Sequence, residues 1–140
     1  MTTPVLAIVS DAAINRTQLL DFVGNSSAGA IASFFGIVRD VDGGKSVDEL
    51  NYEAHPGAQK VVANIAADIA TKFDVAAIAV AHRFGNLVVG EDAFVAVVSA
   101  MHRRAALDAC NELVERVKAE IPIWKHQVFT DGTDEWVNSA

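Results

Sequence analysis

The chain has 140 residues, 51% of them hydrophobic, with a net charge of −7 and a pI near 4.9. That length fits one domain, residues 1–140, with a real core. The composition excludes a disordered chain, and the acidity argues against nonspecific nucleic-acid binding, which wants a basic face.

No apolar run reaches the ~18 residues of a membrane span. The N-terminus lacks a basic stretch followed by an apolar core, so a cytoplasmic protein is expected. The single cysteine, Cys110, sits in an apolar helical run and reads as a buried structural thiol.

Val5 to Val9 is a short apolar run and predicts a strand. Asn15 to Phe22 predicts a short helix, followed by loop chemistry from Gly24 to Gly29. Ala30 to Val38 predicts a strand ended by Arg39, and Asp40 to Lys45 a polar turn or mobile loop. Val47 to Ala54 alternates apolar and polar residues, with one slip near Glu49. The link between these two strands is short, which predicts a hairpin.

Ala58, Val61, Val62, Ile65 and Ile69 recur at helical spacing and predict an amphipathic helix to about Phe73. Val75 to His82 predicts a strand, Leu87 to Val89 a short one and Ala93 to Ala100 a strongly β run. Arg103 to Glu120 predicts a second long helix, stopped by Pro122. Ile123 to Phe129 is the last main strand, and Glu135-Trp136-Val137 pairs briefly before the tail. Hairpins mixed with crossovers predict an α+β fold, a two-layer sandwich. Its sheet is mostly antiparallel, and it carries two long helices and one short one.

A cluster of cations inside an acidic chain is informative. His102, Arg103, Arg104, Lys118 and Lys125 lie between Ser99 and Lys125 and, joined by Arg39, predict an anion-binding catalytic pocket. His102 and Arg103 stand where a strand meets a helix, and amides at a helix N-terminus attract anions. Lys118 lies in the last helical turn, where the macrodipole alone favours a cation. Lys125 follows Ile-Pro-Ile-Trp in a half-buried strand, where partial desolvation would lower its pKa for proton transfer. Gly36, before Arg39, allows close approach of backbone or ligand.

His82-Arg83 ends a strand and reads equally as structural. Glu53 and His55 have the residue types of an acid/base pair, but strand and turn polarity accounts for them. No spaced metal-ligand set, phosphate loop or activated Ser or Cys is present in the sequence. Any nucleophile is therefore expected from a substrate or partner.

Several segments together resemble the catalytic (large) subunit family of molybdopterin synthase. They are Phe34-Phe-Gly-Ile-Val-Arg39, Tyr52-Glu-Ala-His55, His82-Arg-Phe-Gly85, Gly90-Glu91, His102-Arg103 and Val117-Lys-Ala-Glu-Ile-Pro-Ile-Trp-Lys125. They stand in the family's order over roughly residues 30 to 137, and Pro-Ile-Trp-Lys with a Lys seven residues earlier is the most specific.

The resemblance implies a hammerhead-like fold and a sulfur transfer. The sulfur arrives as a C-terminal thiocarboxylate on a small ubiquitin-like sulfur-carrier subunit. It is inserted into cyclic pyranopterin monophosphate to form the dithiolene of molybdopterin. No resident cofactor or metal is implied.

Roles carry over motif by motif. Lys118 and Lys125 would be the catalytic pair. Ile37, Val38 and Arg39 would line the pterin or phosphate site. His102 and Arg103 would bind phosphate, and His126 and Gln127 would touch substrate. Phe34 and Val114 would be apolar walls. The chain departs from the family at Ala100-Met101, where relatives often carry Ser, at Leu107, where Phe is common, and in its short tail, Asn138-Ser-Ala140.

One helix from Arg103 to Lys118 would separate those residues by roughly 22 Å, too far for one pterin phosphate. Either the helix is broken, or the two ends belong to different pockets of one chain, and the second case predicts a homodimer within a heterotetramer, with His102 and Arg103 of one subunit completing the other's pocket. The alternatives are a non-catalytic docking module for a ubiquitin-like tail, and an acid/base enzyme acting on another phosphate ester through His102 or His55.

Overall fold

Alternation and helical spacing translate into nine strands and three helices within residues 2–138, the residues described by a computed structural model. In chain order these are β1 (Val5–Ser10), α1 (Arg16–Val23), β2 (Ala30–Ile37), β3 (Val41–Asp42), β4 (Lys45–Ala54), α2 (Ala58–Lys72), β5 (Ala77–Arg83), β6 (Gly85–Leu87), β7 (Asp92–Ala100), α3 (Arg103–Glu120), β8 (Ile123–Phe129) and β9 (Asp134–Asn138). Among them no helix is long and apolar enough to cross a membrane.

The strands divide into two sheets. One has the order β1-β5-β7-β2, with β1 and β5 parallel and the other pairs antiparallel. The second has the order β3-β4-β8-β9, with β6 also on β4, and is antiparallel throughout.

The hairpin expected between Ala30–Val38 and Val47–Ala54 does not form. β2 pairs with β7 and β4 with β8, so the two strands belong to different sheets. The polar link instead folds back as β3 onto the start of β4, through a turn with Gly43 and Gly44 at φ +60° and +81°. Those angles suit glycine and strain other residues. The slip near Glu49 is a register shift between Val47 and Glu49. The short strand expected at Leu87–Val89 sits earlier, at Gly85–Leu87, because the Val88 amide donates to Glu91 Oε1 and closes a turn there.

The main core lies between the first sheet and α2 and α3, and it extends to Leu50, Tyr52 and Ile123 of the second sheet. A second cluster forms on the opposite face of the first sheet, where Leu19 and Val23 of α1 meet Ala77, Ala79, Ala81, Val95 and Val97. That sheet is thus covered on both sides, where a two-layer arrangement leaves one open. Successive residues of β5 and β7 are all buried because they alternate between the two clusters. Asn15 caps α1 by accepting from the Gln18 amide at 3.1 Å.

Leu19 is 1% exposed and its neighbour Leu20 is 37% exposed. Leu19→Ala should therefore lower stability by about 2–5 kcal/mol, and Leu20→Ala by less than about 0.5 kcal/mol. Urea denaturation of the two variants checks whether α1 seals the second face.

Candidate active site

β8 places its side chains by the two-residue period of a strand. Ile123, Gln127 and Phe129 are buried, and Lys125 lies on the same face with its side chain 19% exposed. Lys125 pairs across the ladder with Tyr52 of β4. The end of β2 approaches from the other side. Its register shifts between Gly36 and Ile37, after which the Val38 amide donates to Glu91 O at 3.0 Å and Val38 O accepts from the Gly90 amide at 2.9 Å. Arg83 bonds the Glu91 carboxylate at 2.7 Å and so steadies the loop that grips Val38. Arg39 then projects from a fixed backbone.

These elements enclose a cavity of about 50 Å³ lined by Val38, Arg39, Asp42, Tyr52, Lys125 and Gln127, among others. The last turn of α3 brings Lys118 within reach of the charges on Lys125 and Arg39, outside the cavity lining itself. Its pKa is held below the usual lysine value, first by burial and then by repulsion from Lys125, against an opposing pull from Glu115 and with a smaller push from Arg39. A depressed ammonium pKa makes proton release and uptake cheaper near neutral pH.

Asp42 meets these cations from β3. Its carboxylate lies 3.6 Å from the Arg39 guanidinium and 3.8 Å from Lys125 Nζ, and it accepts a short hydrogen bond from Gln127 Nε2. The Gln127 bond, then Lys125 and Arg39, hold the Asp42 pKa below the usual carboxylate range, although burial opposes them.

Behind Tyr52 lies His82, 1% exposed. Its ring meets Tyr52 edge-on at 5.2 Å and stacks on Phe94 at 5.5 Å. His82 Nδ1 is 2.9 Å from Arg83 O, an acceptor, so the neutral ring carries its proton there and leaves Nε2 as a bare lone pair without a protein partner. Burial pushes the His82 pKa down to about 4, and the charge of Lys118 adds to that effect.

The MoaE protein family model matches residues 9–120. The chain belongs to the MoaE protein family. It is 42% identical over 120 residues to the molybdopterin synthase catalytic subunit of Arabidopsis thaliana, which covers 85% of this chain and 61% of that protein. The chain thus spans less than two thirds of that relative. The Bacillus subtilis protein of the same name is 41% identical over 89% of this chain and 79% of its own length. Among solved structures, molybdopterin synthase from Staphylococcus aureus superposes with a TM-score of 0.86 at 32% identity, over 93% of this chain and 95% of that one.

In this MoaE chain the expected site residues fall into three groups. Val38, Arg39, Lys118, Lys125 and Gln127 come together as described, with Ile37 at the rim and 47% exposed.

His102 and Arg103 do not join them. α3 is continuous from Arg103 to Glu120, so the two ends stay roughly 22 Å apart. His102 and Arg103 instead border a surface depression of about 440 Å³ with Arg104 and Leu107.

Phe34 and Val114 line a third space, an open groove of about 470 Å³ between β2 and α3. Leu107 borders both this groove and the basic depression, so the apolar walls lie between the two charged ends.

His126 faces away from Lys125. It stacks on Trp136 at 4.4 Å, and its Nε2 lies 2.8 Å from Asp134. Adjacent strand residues point to opposite faces, so following Lys125 in sequence is what removes His126 from the pocket. His55 Nδ1 accepts from the Gly57 amide at 2.9 Å and shapes the start of α2, and Glu53 sits exposed on β4. Gly36 admits no ligand: a Cβ there would lie 3.3 Å from the Phe34 ring and 3.4 Å from Phe94 Cβ. Cys110 is buried, and desolvation raises its thiol pKa to about 11, the mark of an inert thiol.

Sequence reasoning missed Asp42 and His82 as parts of the site. Asp42 read as loop polarity, although the Asp-Gly-Gly turn was a usable signal for a folded-back strand. His82 stood in a recognised segment, but its place behind Tyr52 depends on packing between sheets.

His82 also sets a pH dependence. Its folded pKa of about 4 lies below the unfolded value of 6.5, so in that window the unfolded chain binds more protons. Stability should fall by up to about 3 kcal/mol as pH drops from neutrality toward 4. Denaturant titrations of the protein and of His82→Phe at pH 7 and 4.5 check this, the variant losing that share of the dependence.

Proposed function

We propose that this chain is the catalytic subunit of a molybdopterin synthase. It transfers sulfur from the C-terminal thiocarboxylate of a small ubiquitin-like subunit to cyclic pyranopterin monophosphate and so builds the dithiolene of molybdopterin. The observation that carries this reading is that Arg39 and Lys125 line one small cavity with Lys118 near enough to feel both charges, in a chain whose sequence shows no activated nucleophile. A partner that brings its sulfur supplies the missing nucleophile, and the cations suit both the thiocarboxylate and the substrate phosphate.

In this reading Lys125 and Lys118 hold the thiocarboxylate at the cavity. The depressed pKa of Lys118 lets it take up and release protons as the sulfur attacks the pterin and as water later cleaves the acyl link to the carrier. Arg39, with the backbone of Ile37 and Val38, contacts the pterin side. Gln127 offers its amide to the same space. His102 and Arg103 clamp a phosphate at the other end of α3.

The length of α3 supports a second subunit in this reading. We infer a homodimer in which His102 and Arg103 of one copy complete the cavity of the other, with a small carrier subunit on each. A complex of subunits 1 and 2 of molybdopterin-converting factor from Helicobacter pylori shares the fold, with a TM-score of 0.71. A cytoplasmic location accords with the one buried thiol, Cys110.

Incubation with a thiocarboxylated carrier and cyclic pyranopterin monophosphate should yield dithiolene product. Lys118→Ala or Lys125→Ala should cut turnover by about 100-fold or more while the carrier still binds. Unchanged turnover would favour a docking module, and hydrolysis of another small phosphate ester without any thiocarboxylated partner would favour an acid/base enzyme. Lys125→Ala and Arg103→Ala chains, each inactive alone, should recover activity when mixed, because a mixed dimer contains one intact site. No recovery counts against the shared site.

A further inference from the structure

The cavity proposed for an incoming anion already contains one. Asp42 reaches across from β3 and meets Arg39 at 3.6 Å, Lys125 at 3.8 Å and the Gln127 side-chain amide. Within its own hairpin the carboxylate has one other use, a hydrogen bond accepted from the Gly43 backbone amide, and it is the smallest of the interactions that favour its charge. The strand has two residues and pairs only with Lys45 and Ser46. An aliphatic side chain would satisfy that ladder equally well.

The attachment is also built to release. Both ion pairs are long, and the Arg39 side chain is 74% exposed, so solvent screens the Arg39 pair strongly. Gly43 and Gly44 follow Asp42 directly, both at positive φ, and a Cβ on either would meet nothing within 4 Å. The turn itself therefore has open space at Gly43 and Gly44, while Lys45 beside it is tied to Thr133 at 3.0 Å and Asp131 at 3.3 Å.

Gln127 behaves differently. Its Nε2 also donates to Glu135 Oε1 at 2.8 Å, so β9 keeps the amide in place when Asp42 leaves. Departure of Asp42 would expose two cations and one oriented N–H, a ready set of partners for an external carboxylate or phosphate oxygen.

We propose that Asp42 is a displaceable internal counterion, an ion-selecting residue that occupies the Arg39–Lys125 site until a stronger-binding anion swings the β3 hairpin aside. In the resting chain it neutralises cations that would otherwise repel one another and collect small anions from solution. A free phosphate ion must compete with a carboxylate tethered beside the site, at the high effective concentration a short linker provides. A carrier tail that also makes backbone contacts wins that competition, and free phosphate does not. The identity of that tail rests on the sulfur-transfer reading, but the counterion role of Asp42 does not.

The experiment titrates the full-length protein, Asp42→Asn and Asp42→Glu with two probes. One is inorganic phosphate, and the other is a peptide ending in Gly-Gly with a free carboxylate. NMR shifts of the Arg39 guanidinium and Lys125 ammonium report occupancy of the site. Asp42→Asn keeps the side-chain shape and removes the charge, so phosphate should bind about fivefold tighter, the equivalent of ~1 kcal/mol. Asp42→Glu should restore the weaker binding. Equal or weaker phosphate binding by a folded Asp42→Asn protein overturns the proposal, because a merely structural Asp42 would loosen the site. If phosphate tightens while the peptide binds none of the three proteins, the counterion role stands and the thiocarboxylate reading is what fails.

Discussion

Three cations within reach of one another's charge, two of them lining one small cavity, repel one another, and the rest of the molecule is arranged to tolerate that. Arg39, Lys118 and Lys125 come from three elements, the end of β2, the last turn of α3 and the middle of β8. None of these elements is free to move away. α3 buries Ala106, Ala109, Leu113 and Val117 against the first sheet, and β8 buries Ile123 and Phe129 beside Lys125. Burial of the larger of these, Leu113, Val117, Ile123 and Phe129, stabilises by about 1.5–3 kcal/mol each. The core can therefore absorb the repulsion, which adds to burial in lowering the Lys118 pKa. A site that stores unfavourable charge in this way is chemically ready and structurally expensive, a common trade in active sites.

The neighbouring polar groups follow the same logic. His82 stays neutral behind Tyr52, so it adds no fourth positive charge to the cluster. The Tyr52 hydroxyl, its pKa raised to about 12 by burial, also stays neutral. Arg83, the other cation in this region, is matched by Glu91 at 2.7 Å and belongs to the scaffold. The positive charge of Arg39 and Lys125 facing the cavity is what Asp42 tempers reversibly.

Much of this was legible in the sequence where a local period governs. The apolar stripe from Ala106 to Val117 and the stop at Pro122 fixed both ends of α3, and the break in alternation at Glu49 became a real register shift. The length of α3 was enough to separate the phosphate-type end from the lysine end before any coordinates. Choice of partner was not legible. The alternation of β2 and β4 told which faces are buried, but a hairpin and two separate sheets satisfy the same pattern. Asp42 meets Gln127, 85 residues away, and nothing local announces that contact. His126 was a different kind of miss, because the two-residue period of a strand already assigned it to the face opposite Lys125.

That period has a further consequence for β8. The strand carries two unrelated surfaces in alternation, one with Lys125 and Gln127, the other with Trp124 and His126. Only parity separates them. Deleting one residue after Pro122 would let the backbone ladder reform while presenting the aromatic surface to the cavity and the lysine to solvent. Removing two residues would shift the lysine along the ladder but keep it on the correct side. The buried Ile123 and Phe129, at opposite ends of the strand, are what hold the count. The chemistry of the cavity is thus written in an odd–even code, with two apolar residues as its reading frame.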